Sequence, residues 1–190
     1  MGRFRSLCDN KVHMEAFRRR YEVPDDVNLA LAPSGADTHD QAEGRVHIPL
    51  LAVIEGGVRF PLHPLLVEIC SICRLTPLQL CPNFYRVVMG VVALNRLLGT
   101  NLGWYDIRRL YSVCPTTHGT YYLKIRDKER RLVTDLPNSC RGENDDFLIV
   151  TGNFLPRDDG GNIVGPLCPH TFGRTRRFCS FCPFLISLLW

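Results

Sequence analysis

Four side chains near the C-terminus are of the types that bind zinc. Cys168, His170, Cys179 and Cys182 follow the pattern C-x-H-x8-C-x2-C. Thiolate and imidazole groups are the ligands of tetrahedral zinc sites, which makes these four residues the candidate metal ligands. Their spacing differs from the C-x2-C-x4-H-x4-C pattern of a zinc knuckle. We therefore predict no bound cofactor and keep zinc at this cluster as the alternative.

A second cysteine pair lies in the first half of the chain. Cys70 and Cys73 have the C-x-x-C spacing of redox and zinc sites. Both fall on the apolar side of a predicted helix, and no second pair lies nearby in the sequence. The pattern therefore favours small buried hydrophobic side chains over a reactive or metal-binding pair.

Basic and aromatic residues are interleaved in the middle of the chain. The set comprises Arg108, Arg109, Tyr121, Tyr122, Lys124, Arg126, Arg130 and Arg131. Cations bind phosphates and tyrosine rings stack on unpaired bases, so this segment is the candidate binding site for RNA or DNA. The alternative is a solvated hairpin whose Lys and Glu side chains pair with each other.

Carboxylates are the remaining groups with catalytic potential. They occur as the adjacent pairs Asp25-Asp26, Asp145-Asp146 and Asp158-Asp159, all in segments of loop composition. Nucleases need carboxylates that converge on metal ions, whereas adjacent pairs in loops are typical of solvated turns. The sequence contains neither a Tyr-x-Asp-Asp motif nor a Gly-Lys-Ser/Thr phosphate loop. We therefore predict that the protein is not an enzyme.

Helical periodicity predicts the elements that must position these residues. Residues 11–21 form a first helix with Asp9 or Asn10 as its cap. Two further helices open at Pro64 and Pro82, because proline is favoured in a first helical turn. Gly99 is placed to end the longer one. A short helix over residues 105–113 completes three apolar helices between positions 62 and 113, which we expect to form the core.

The periodicity then changes to that of strands. Residues 121–125 alternate in polarity and predict a strand, with Leu132-Val133 as its partner after a turn. Residues 147–150 predict another strand, and residues 48–54 a strand or buried turn. The acidic residues 25–47 are interpreted as a linker between the first helix (residues 1–24) and an α+β domain (residues 48–156). The Cys-rich residues 157–190 are interpreted as a poorly ordered tail.

Composition and charge limit the class of protein. The chain has 190 residues, 45% of them hydrophobic, with a formal net charge of +4. That charge is below the strong imbalance of a dedicated nucleic-acid binder. No signal peptide or bilayer-length apolar run is visible, so we expect an intracellular protein without stable membrane insertion, in the cytoplasm or nucleus. Its nine cysteines are then expected to be thiols or metal ligands rather than disulfides. The predicted fold class is α+β: a small core of three to four helices, a short antiparallel sheet and an irregular C-terminal tail.

Several short motifs resemble one protein family. Residues 60–67 (FPLHPLLV), 17–27 (FRRRYEVPDDV) and 75–83 (LTPLQLCPN) are similar to segments of the plant gypsy-type transposon proteins, also described as plant transposon proteins. Residues 132–154, with LPNS and VTGNF, resemble the segment that closes the family's domain. The resemblance covers about residues 17–154. It implies a plant source and a retrotransposon gag-like N-terminal region with a structural or packaging role and no catalysis.

Two functional hypotheses follow from the sequence. The first is a non-catalytic, transposon-derived gag-like structural or interaction protein, intact or degenerate, with weak binding to RNA or DNA and self-association. The alternative is a host protein–protein interaction module that does not bind nucleic acid. A packaging protein should self-associate, whereas an isolated scaffold can stay monomeric.

Overall fold

The computed structural model describes residues 4–36, 44–117, 119–137 and 146–164. The predicted α+β class is confirmed: within these residues, five α-helices combine with two small antiparallel sheets. The helices are α1 (Lys11–Arg20), α2 (Leu50–Ile54), α3 (Pro64–Cys73), α4 (Pro82–Leu98) and α5 (Trp104–Leu110). The strands are β1 (Val27–Leu31), β2 (Arg45–Pro49), β3 (Tyr111–Pro115), β4 (Tyr121–Ile125) and β5 (Phe147–Gly152).

Helix α1 lies where the sequence predicts it. The Asn10 side chain accepts a hydrogen bond from the backbone N–H of His13 at 2.9 Å, which satisfies one of the free amides at the helix start. Phe17 and Tyr21 pack into the core. Arg18 donates to the carbonyl oxygens of Pro24 and Val27, at 2.7 and 2.6 Å. It therefore joins the helix to the start of β1.

The two proline-initiated helices are also confirmed. Pro64 and Pro82 occupy the first turns of α3 and α4, and Gly99 ends α4 in the left-handed conformation, with φ of 64°. The third predicted helix, residues 105–113, is only partly right. Helix α5 ends at Leu110, and β3 begins at Tyr111. The β-branched and aromatic side chains after Leu110 can pair with β4, and sheet formation takes over there.

A three-stranded sheet closes the domain in the order β1-β5-β2. The central strand β5, predicted from its apolar run, pairs with Val27–Leu31 on one side and Arg45–Pro49 on the other. The interpretation of residues 25–47 as an acidic linker is therefore wrong, since β1 and most of β2 lie within them. The alternating Val27, Leu29 and Leu31 contact the core and account for β1. The apolar residues 48–54 divide between the end of β2 and helix α2.

Strands β3 and β4 form a two-stranded hairpin. Strand β4 is predicted correctly, but its partner is not Leu132-Val133. It pairs with β3 in the register Tyr111 to Ile125 and Pro115 to Tyr121. After β4 the chain turns through the short 3-10 helix Lys128–Arg130 and leads to residues 131–137, called the strap below.

The strap crosses helix α4 instead of pairing with β4. A Cβ atom on Gly90 of α4 would lie 2.6 Å from Val133 Cγ2, so only glycine leaves room for Val133 at this point. The Asn83 side chain, at the start of α4, donates a hydrogen bond of 2.7 Å to the carbonyl oxygen of Pro137. The strap is therefore attached to α4 at two points.

The core lies between the helices and the three-stranded sheet. Its largest buried side chains include Tyr85, Phe84, Ile48, Leu66 and Ile107. The Tyr85 hydroxyl donates to the carbonyl oxygen of Pro77 at 2.5 Å, which satisfies the one polar group of that ring. Within the described residues, no helix has the length and apolar character needed to cross a bilayer.

Candidate nucleic-acid interface

Two basic stretches that are distant in sequence meet at one end of the hairpin. The backbone N–H of Arg126 donates to the carbonyl oxygen of Leu110 at 2.8 Å, which extends the β3–β4 pairing by one step. Arg109 precedes Leu110 at the end of α5, so the arginines of α5 and those that follow β4 lie at the same end. We call this region the basic end. It consists of Arg108, Arg109, Lys124, Arg126, Arg130 and Arg131.

The two predicted tyrosines lie on opposite faces of the hairpin. Successive side chains of a strand alternate between the faces of a sheet. Tyr121 packs against the core, and its carbonyl oxygen accepts from the Cys81 backbone N–H at 2.9 Å. Tyr122 lies on the other face, as does Lys124. Tyr122, but not Tyr121, is thus on the side of the hairpin that faces away from the core.

Helix α5 carries an exposed aromatic ring that is not among the predicted nucleic-acid-binding residues. The side chain of Tyr105 is 66% exposed. It precedes Arg108 by three residues and Arg109 by four, so all three share one face of the helix. Because Trp104 and Ile107 carry the buried face of α5, the ring is directed away from the core. The spacing of Tyr105 and Arg109 on a predicted helix is the sequence signal that could have identified it.

Some of the basic charge is used inside the region. Arg130 lies 3.5 Å from Asp127 in an ion pair whose side chains are 76% and 51% exposed. Exposed pairs of this kind contribute only about 0–1 kcal/mol, and water competes for both charges. The Nε of Arg131 donates to the Lys128 carbonyl oxygen at 2.9 Å, and that of Arg126 to the Tyr111 carbonyl oxygen at 3.4 Å. Both guanidinium groups are thereby held at the basic end.

The surrounding segment keeps an excess of positive charge. Between positions 104 and 137 the basic residues are Arg108, Arg109, Lys124, Arg126, Lys128, Arg130 and Arg131, and the acidic residues are Asp106, Asp127, Glu129 and Asp135. Asp106 is occupied as a helix cap, since it accepts from the Gly103 backbone N–H at 3.0 Å. The basic end therefore has the charge to hold phosphate groups, but not the density of a high-affinity site.

A cavity of about 340 Å³ opens beside the basic end. It lies between the core-facing side of the hairpin and the strap. Its walls are formed by Tyr111, Leu123, Ile125, Arg131, Val133, Asp135 and Leu136. The Leu132 backbone N–H donates to the Tyr111 hydroxyl at 3.2 Å and holds the strap beside the hairpin. The cavity combines apolar walls with one cation and one carboxylate.

The thiols of Cys8 and Cys70 are poor nucleophiles. Cys70 is 1% exposed, and burial raises its pKa far above the ordinary value. Cys73 is half-buried and packs against the same core. Burial also raises the pKa of Cys8 to about 12, with smaller contributions from the charges of Asp9 and Asp146. The thiols of Cys8 and Cys70 stay protonated near neutral pH, and Cys70 fits the interpretation of the C-x-x-C pair as buried hydrophobic side chains.

One carboxylate of each adjacent pair has a structural contact. Asp26 accepts from the Asn153 side chain at 2.9 Å, and Asp146 forms an ion pair with Arg5 at 3.3 Å. Asp158 accepts from the Asn162 backbone N–H at 2.8 Å, and the hydrogen bonds from Asn162 lower its pKa. Each carboxylate stabilises a turn or a chain crossing.

The candidate zinc ligands Cys168, His170, Cys179 and Cys182 lie outside the described residues. Among the residues that are described, no three His, Cys, Asp or Glu side chains converge to hold a metal ion. The predicted nucleic-acid residues, by contrast, can all be located.

Comparison of the chain with protein-family models, curated proteins and solved structures gave no significant match. The interpretation of the basic end therefore depends on its geometry and charge.

Proposed function

We propose that the chain is a non-catalytic structural or interaction protein that binds single-stranded nucleic acid weakly through the basic end. The observation that carries this proposal is the Arg126–Leu110 backbone hydrogen bond, which brings the arginines of α5 next to those that follow β4. The resemblance of residues 17–154 to plant gypsy-type transposon proteins supports a gag-like role. Weak binding of this kind would serve to package an RNA.

The chemistry of the basic end favours a single strand over a duplex. Phosphate contacts supply affinity without sequence preference, and each neutralised phosphate releases a counterion. Tyr105 adds an exposed ring on the same helix face as Arg109, and a ring of this kind stacks on bases only where they are unpaired. The acidic residues among the basic ones keep the expected affinity low at physiological salt.

Binding of a fluorescent twelve-nucleotide oligouridylate (U12) to the full chain tests the proposal. Anisotropy is measured over a series of salt concentrations, and the slope of log affinity against log salt counts the phosphate contacts. Arg109→Gln should reduce the magnitude of that slope by about 0.7, the value for one contact on a single strand. Tyr105→Ala should weaken binding about tenfold, within the range measured for loss of one stacked base.

Arg19→Gln is the matched control for charge. Arg19 is an exposed arginine on α1, outside the basic end. The proposal is contradicted if U12 shows no salt-dependent binding, or if Arg19→Gln and Arg109→Gln reduce the slope equally. An equal reduction would mean that overall charge attracts the oligonucleotide and that no particular surface binds it.

The second candidate function is a protein–protein interaction module without nucleic-acid binding. Leu97 and Leu98, at the C-terminal end of α4, are 80% and 69% exposed. Two adjacent exposed leucines favour contact with another apolar surface. A chain that associates through these leucines and binds no U12 would support this alternative.

A further inference from the structure

The cavity between the hairpin and the strap has the dimensions of a small-molecule site. Its volume of about 340 Å³ falls at the lower end of the range typical of ligand pockets. Leu123 and Ile125 wall it on the hairpin side, and Val133 and Leu136 on the strap side. The cavity is half open to solvent, and its apolar walls on two sides suit a flat ring that packs against both.

The charged residues that line the cavity are Arg131 and Asp135, both on the strap. Asp135 accepts one hydrogen bond, from the Thr134 hydroxyl to Oδ2 at 3.0 Å, and its Oδ1 accepts none from the described residues. Arg131 uses Nε to bond the Lys128 carbonyl oxygen. Neither of its Nη groups bonds to a described residue. The two side chains thus offer a carboxylate and a guanidinium to a ligand in the same cavity.

We propose that this cavity binds an unpaired guanine base of a single-stranded nucleic acid, an inference that rests on the proposed function. Guanine carries two adjacent donors, N1–H and the exocyclic N2 amino group, which match a carboxylate. Its O6 and N7 acceptors match a guanidinium. Asp135 accepts from the first edge, and Arg131 donates to the second.

The other bases match the cavity less well. Uracil has a single N3–H donor for the carboxylate, and adenine lacks an acceptor beside N7 on its Hoogsteen edge. Cytosine offers only its N4 amino group to Asp135. The adjacent basic end binds the phosphates on either side of the inserted base. The proposed site therefore reads one base while the rest of the strand is held through its backbone.

Anisotropy measurements with two oligonucleotides test the inference. The first is U12, and the second is a uridine dodecamer with one central guanine. The full chain should bind the guanine-containing strand about tenfold more tightly, the discrimination expected of one bidentate base contact. Replacing guanine by inosine removes the N2 amino group and should abolish most of the preference. Replacing it by 7-deazaguanine removes the N7 acceptor and should reduce the preference partly.

Asp135→Asn is the decisive variant. Asp135 has φ of +57°, a left-handed conformation that asparagine adopts readily, so the strap should keep its shape. The guanine preference should fall several-fold, to the part that the Arg131 contact supplies, while U12 binding stays equal or becomes slightly tighter because a negative charge is lost. Glu129→Gln is the control, because Glu129 lies in the same basic segment and does not line the cavity. It should leave the preference at its original value.

Each result supports or overturns the inference. Equal binding of U12 and the guanine strand overturns the guanine site and leaves the proposed function standing. A preference that is undiminished in Asp135→Asn, or that falls equally in Glu129→Gln, also overturns it, because guanine is then read elsewhere. Absence of binding to both strands overturns the proposed function and the guanine site together.

Discussion

Substitution of Gly90 by alanine tests whether the strap packs on α4. Alanine in a helix interior is more favourable than glycine by about 1 kcal/mol, so the change alone should stabilise the chain. The new Cβ would lie 2.6 Å from Val133 Cγ2, closer than any relaxed carbon contact. Valine is stiff about χ1, so the strap itself has to move. Overpacking of this kind costs roughly 1–3 kcal/mol, and the net effect of Gly90→Ala is a destabilisation of about 0–2 kcal/mol.

Removal of the Val133 methyl groups by Val133→Ala isolates the cost of the clash with the new Cβ atom. In a Val133→Ala background nothing opposes the new Cβ, so Gly90→Ala should raise the free energy of unfolding by about 1 kcal/mol. The coupling between the two positions is then roughly 1–3 kcal/mol, measured from urea denaturation of the four proteins of the cycle. If Gly90→Ala stabilises the wild-type and Val133→Ala proteins equally, the coupling is zero. The strap would then not lie on α4, and the cavity would lack one wall.

Two further predictions concern a histidine cap and an apolar surface. The His63 Nδ1 accepts from the Leu65 backbone N–H at 3.2 Å, and burial, then repulsion by Arg96, lowers the His63 pKa below the 6.5 of an unfolded chain. As the pH falls through 6.5, His63 takes up a proton in the unfolded chain more readily than in the folded chain, so the free energy of unfolding should decrease. The melting temperature should therefore fall at low pH. It should fall less in His63→Asn, because asparagine keeps the cap and cannot titrate. Light scattering should show that any self-association weakens in a Leu97→Gln/Leu98→Gln variant while its melting temperature stays the same. An unchanged oligomer would exclude the leucines as the contact.

The parts of the fold that could be predicted are those set by local signals. Pro64 and Pro82 begin helices because proline fits a first turn, and Gly99 ends one because it adopts the left-handed conformation at little cost. The alternation of residues 121–125 predicts β4, since one face of the hairpin is packed against the core. In each case the residue types within or beside the element predict it, and the prediction does not require knowledge of its partner in the fold.

The parts that could not be predicted depend on distant partners. Strand β1 has five residues in an acidic stretch, and its pairing with β5 joins positions more than one hundred residues apart. The predicted partner of β4 is wrong, because residues 111–113 continue the helical pattern of α5 and the next apolar residues after β4 are Leu132-Val133. The 3-10 turn at Lys128–Arg130 and the room above Gly90 carry Leu132-Val133 onto α4, which leaves β3 as the partner.

The candidate site also has some features that could be predicted from the sequence and others that could not. Its charges are visible in the sequence, but the separation of Tyr121 from Tyr122 requires the register of the hairpin. The exposure of Tyr105 depends on which face of α5 packs against the core. The cavity has no sequence signature, because its walls come from two strands and a strap that pack together only in the folded chain.

The strap connects stability with recognition, and this makes the two proposals separable by one variant. Tyr105, Arg109 and Arg131 are exposed, so their substitution should change the free energy of unfolding by no more than about 0.5 kcal/mol. Val133 differs, because it packs on α4 and also walls the cavity. Gly90→Ala should therefore displace that wall and reduce the guanine preference with little effect on U12 binding, since Arg131 is the one member of the basic end that lies on the strap. A loss of both would mean that the basic end depends on the strap, and a loss of neither would place guanine recognition outside the cavity.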